Sequence, residues 1–105
     1  MHVTGWGCEM TPKNWKLTAY TNNTWTDVVG ETAILASILV ANTDPANAIN
    51  VQLRLSGGAV ILPASSVPAS SSYALDLRSL NITTGETLQL QASAAGINAI
   101  ASGAV

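Results

Sequence analysis

Phenylalanine is absent from this chain of 105 residues, cysteine and histidine occur once each, and only four residues are cationic. Each shortage excludes something. Cys8 alone cannot close an internal disulfide, and one Cys with one His cannot build a zinc site. His2 is the only imidazole and stands beside Met1, in a terminal segment ill suited to holding an acid–base geometry. A Ser-His-Asp arrangement would have to use it, and Cys8 has no second histidine to act as base. Lys13, Lys16, Arg54 and Arg78 are too few to draw useful affinity from phosphate contacts, so nucleic acid is not an expected partner. No apolar run approaches the ~20 residues of a membrane helix, so no membrane association is expected. The opening MHVTGWGCEMTPK has no basic region followed by an apolar core and does not read as a signal peptide.

The acids are also sparse: Glu9, Asp27, Glu31, Asp44, Asp76 and Glu86. Most fall at turns or outward positions, where solvation accounts for them, and a glycosidase needs two facing each other across a cleft. There is no calcium loop and no phosphate-cradling glycine loop; Gly57-Gly58 reads as a hairpin signal. The expectation is a protein that is not an enzyme, with no cofactor and no metal.

What is present is apolar and uncharged. Hydrophobic residues make up 48% and charged ones 10%, so the polar surface must come from Ser, Thr, Asn and Gln. Such a surface repels its neighbours weakly and suits permanent packing, with a stable uncharged monomer as the plainer alternative. The length fits one domain.

The chain is organised around Thr32 to Asn42, TAILASILVAN. Both alternating registers are apolar: Ala33, Leu35, Leu39 and Ala41 on one, Ile34, Ile38 and Val40 on the other. The run is short, β-branched and flanked by Gly30 and Pro45, which favours a strand covered on both faces, by a second sheet or by a neighbouring subunit. Around it the alternation of WKLTAYT, INVQLRLS, YALDL and TLQLQAS marks further strands, with Leu53, Leu75 and Leu90 inward. TWTDVV, AVIL and INAIAS complete the set. Asn22-Asn23, Asn42 to Ala48, Gly57-Gly58 and NITTG supply turn chemistry. Pro63 and Pro68 bracket a strand edge or an extended crossing. No stretch carries a helical period. About eight short strands predict an all-β, antiparallel β-sandwich, jelly-roll or immunoglobulin-like, over residues 15–105, preceded by an N-terminal arm over 1–14.

Two sets of residues are candidates for binding. Trp6 and Met10, among glycines in the arm, read either as cover for the domain's own core or as anchors on a neighbour. Leu35 and Leu39, on the doubly apolar strand, are the corresponding candidates on the sandwich. Trp6, Trp15, Trp25, Tyr20 and Tyr73 form a possible sugar-binding set, although strand tryptophans are ordinarily core.

From about Asn42 to the end, VANTDPANAINVQLRL, ILPASSVPASSSYALDL and LNITTGETLQLQASAAGINAIASG together resemble small virion proteins of tailed bacteriophages. Gly85 to Leu88 and Ala92 to Ala94 match best; the arm has no counterpart. The resemblance implies a multi-copy structural protein that decorates or cements the capsid or forms part of the neck or tail. It would be made in the host bacterial cytoplasm and then carried in the virion. The expected partners are the chain itself, as a homo-oligomer with a trimer favoured, and other virion proteins such as major capsid or tail and neck proteins. The competing reading is a receptor- or carbohydrate-binding module at a tail or fibre tip.

Overall fold

A computed structural model describes residues 10–17 and 23–105. The described residues form eight strands: β1 (Pro12–Leu17), β2 (Thr26–Val29), β3 (Ala33–Asn42), β4 (Ile49–Leu55), β5 (Val60–Val67), β6 (Ser72–Ile82), β7 (Leu88–Ala92) and β8 (Ile97–Ala104). They pair antiparallel in two four-stranded sheets, ordered β1-β8-β3-β6 and β2-β7-β4-β5. The fold is the expected all-β sandwich. The alternation of β4 and β7 dictates it directly: Ile49, Val51 and Leu53, with Leu88, Leu90 and Ala92, face inward and are buried. Against them pack Leu35, Ile38, Val40, Ile97, Ala99 and Ala101 from the centre of the first sheet.

The arm expected over residues 1–14 ends earlier than the sequence suggested. β1 takes in Pro12, Lys13 and Asn14, paired with Ala104, Gly103 and Ser102. Thr11 and Val105 exchange both backbone hydrogen bonds, at 2.8 and 2.9 Å, so the ladder extends one residue beyond the strand. Pro63 does not interrupt β5 because β5 is an edge strand, and a missing N–H is tolerated there. β6 is correspondingly longer than YALDL and runs on to Ile82.

The doubly apolar β3 has a specific cause. Its partners on β8 are Gly103 for Leu35 and Ser102 for Ser37, so Ala36 is an extra residue. This bulge exchanges the two faces. Before it, Ala33 and Leu35 point inward; after it, Ile38, Val40 and Asn42 do. On the other flank Leu35 pairs with Leu80 but Ser37 with Asp76, so β6 carries surplus residues of its own. Arg78 and Ser79 absorb them with φ of 51° and 64°, and Asp76 Oδ1 accepts the Arg78 N–H at 2.9 Å.

Two further residues hold the frame. Asn42 is the one buried polar side chain among the described residues. Its Nδ2 donates to the carbonyls of Asn47 and Val67 at 2.9 and 3.0 Å, and its Oδ1 accepts the Asp44 N–H at 2.8 Å. Gly103 sits where a Cβ would lie 2.1 Å from the Ile34 carbonyl oxygen, so β8 approaches β3 there only because the side chain is missing.

Candidate interaction face

The sandwich has two outer faces, and they differ in chemistry. The outer face of the second sheet is polar and internally bonded across β2, β7 and β4, with Val60 exposed on the edge strand β5. Arg54 Nε donates to Gln89 Oε1 at 2.9 Å, and Gln89 Nε2 donates to Asp27 Oδ1 at 2.9 Å. Thr87 Oγ1 donates to the same Asp27 oxygen at 3.0 Å, and Gln52 Nε2 to Gln91 Oε1 at 3.2 Å. The Arg54 guanidinium stacks on the Trp25 ring, 4.1 Å from its centroid. The strand register puts these side chains in line, because Arg54 lies opposite Gln89 and Gln52 opposite Gln91 across β4 and β7.

The outer face of the first sheet is built otherwise. Three rows of directly opposed residues cross all four of its strands. One is Lys16, Ile100, Leu39 and Ala74. The next is Asn14, Ser102, Ser37 and Asp76, and the third is Pro12, Ala104, Ile34 and Asn81. Ile34, Leu39 and Ile100 are exposed by 39, 41 and 37%. Around them stand alanines and serines, with Lys16 on one edge strand and Asp76 on the other. Near the bulge this face sinks into a depression of about 630 Å³, lined by Pro12, Asn14, Ile34, Ala36, Ser79 and Ser102 among others. A second, of about 360 Å³, lies between Ile34, Ile82 and Val105, and Met10 borders both.

The expected interaction residues are divided by this geometry. Leu39 is on the outer face, and Met10 is 48% exposed at its rim. Leu35 is fully buried between the sheets, because the bulge at Ala36 separates it from Leu39 by one face; it is a core residue and not a surface anchor. Trp6 lies outside the described residues, as do His2, Cys8 and Tyr20. Of the aromatic set, Trp15 is buried in the core and Trp25 stacks on Arg54, while Tyr73 borders the inner face at the β6 edge, opposite Val40. Ile34 and Ile100 were not singled out by the sequence. The signal for Ile34 was the second apolar register of β3, which faces outward before the bulge and inward after it, while Ile100 stands outward on β8 between the buried Ala99 and Ala101.

The carboxylates with displaced pKa values all serve the frame. Glu31 accepts hydrogen bonds from Lys13 and, at 2.8 Å, from Trp15 Nε1, and these hold its carboxyl below the usual range. Asp44 is lowered by the backbone N–H groups of Ala46 and Asn47, and Glu86 by the side chain and backbone of Thr83. Among the described residues no three of His, Cys, Asp and Glu come together as metal ligands would.

Comparison with protein-family models, curated proteins and solved structures found no match.

Proposed function

We propose that this chain is a structural subunit of a bacteriophage virion, without enzymatic activity, present in many copies and held by self-association and by contacts with capsid, neck or tail proteins. The observation that carries this reading is the outer face of the first sheet, where Ile34, Leu39 and Ile100 lie exposed among small side chains. A face of that kind is stable in water only weakly and gains by being covered. The low charge and the resemblance of residues 42 to 105 to small virion proteins support it in the same direction. The test is the amount of this protein in purified particles of a phage that encodes it, by quantitative mass spectrometry against the major capsid protein. Many copies per particle are expected, and absence from particles overturns the reading.

A second reading has its own observation. The array of Trp25, Arg54, Gln89 and Asp27 sets an indole beside a guanidinium, an amide and a carboxylate, group types that also bind sugars. A receptor- or carbohydrate-binding module at a tail tip would use that face. It predicts few copies per particle, and binding to host-surface glycan that Trp25→Ala removes.

A further inference from the structure

We propose that the outer face of the first sheet binds the same face of a second copy, about a two-fold axis that lies between the two sheets and runs parallel to their strands. This rests on the reading of the chain as a self-assembling subunit and names the contact by which it assembles. In the order β1-β8-β3-β6, such an axis sets β3 over β8 of the partner and β1 over β6 of the partner. Rows then meet their own reversal. Leu39 faces the partner's Ile100, and Ile34 faces the partner's Ala104, a small residue that lines the depression. Each pairing occurs twice, once from each copy, with a large apolar side chain set against an apolar one.

The edges agree as well. Lys16 comes over the partner's Ala74, which leaves room for the ammonium to reach the partner's Asp76 one row away, about 7 Å along the strand. Asp76 stands 3.9 Å from Arg78 Nε with its side chain 72% exposed, an open pair that does not hold the carboxylate from a new partner. The alternative two-fold, running across the strands, lays β1 on β1 and β6 on β6, so that Lys16 shares an edge with the partner's Lys16 and Asp76 shares the other with the partner's Asp76. Charge therefore selects between the two arrangements. The polar groups on the outer face of the second sheet already bond one another, so that face gains less by being covered. Four strands of about nine residues offer roughly 600 Å² per copy, at the lower end for a specific interface. The contact is accordingly a concentration-dependent dimer, closed by two-fold symmetry, in place of the trimer favoured from sequence.

Sedimentation velocity of the full chain between about 1 and 100 µM tests this, with dissociation in the micromolar range expected. Leu39→Asp gives a monomer that melts as the parent does. Lys16→Glu weakens the dimer by about tenfold, and adding Asp76→Lys returns it to within about threefold. If Asp76→Lys lowers the melting temperature, Asp76→Asn keeps an acceptor for the Arg78 N–H. Combined with Lys16→Gln it then loses no more than either change alone. A monomer at every concentration, a trimer, or a double variant no better than Lys16→Glu overturns the proposal. A chain abundant in particles yet monomeric in solution overturns this contact alone. A dimer missing from particles overturns the virion reading alone.

Discussion

At the residue scale, the side chains that matter most to stability are those placed where nothing else fits. A Cβ at Gly103 would lie 2.1 Å from the Ile34 oxygen and 2.9 Å from the Leu35 Cα, both backbone atoms that cannot swing aside. Gly103→Ala is expected to destabilise by about 3 kcal/mol or more in urea melts, since β3 and β8 must separate. Gly30 has open space around it, and Gly30→Ala should stay within about 0.5 kcal/mol. Asn42→Ala leaves the Val67 carbonyl and the Asp44 N–H without their partner, and should cost about 1–3 kcal/mol. Glu31 has a depressed pKa through Lys13 and Trp15, so its contribution is complete above the ordinary carboxylate range and fades as pH falls through its folded value. The urea midpoint should therefore fall in acid, and Glu31→Gln should flatten that fall while lowering the midpoint at neutral pH. A parallel pH profile in the variant would show that the latch contributes nothing.

At the scale of elements, most strands were legible because each has one dry face and one wet face. Leu53 and Leu90 are fully buried on adjacent strands, and truncating either to Ala should cost about 2–5 kcal/mol. Gln52, the outward neighbour of Leu53, should tolerate Ala within about 0.5 kcal/mol. Leu75, expected to match them, is only half-buried on the edge strand β6, so its loss should be smaller. The strand that misled is β3. Its bulge residue is Ala36, which carries no Gly, Pro or Asn signal, so the exchange of faces leaves no mark in the sequence beyond two apolar registers. That pattern predicts one strand covered on both sides, with Leu35 and Leu39 on the same face. The structure separates them, and only the outward set is open. β6 hid its irregularity similarly, since Arg78 and Ser79 are ordinary residues that adopt positive φ only because β3 imposes the mismatch. The bonded array on the second sheet could not be seen either; Arg54 and Gln89 are 35 positions apart and meet only through register.

At the scale of the molecule, the described residues divide the sandwich surface between a face of bonded polar side chains on β2, β7 and β4 and a face where Ile34, Leu39 and Ile100 lie exposed. That division was invisible in composition, which shows only that charge is scarce. It gives the low charge a location: the centre of the first sheet's outer face, with Lys16 and Asp76 kept to its edges. The central claim is that this face is what holds the protein in an assembly. The most direct measurement is the number of copies retained in purified particles when the phage carries Leu39→Asp, with the melting temperature of the isolated variant as control. The expected result is a normally folded variant depleted from particles at least tenfold relative to the parent, on the order of a lost interface anchor. Incorporation of Leu39→Asp at the parental level would contradict it.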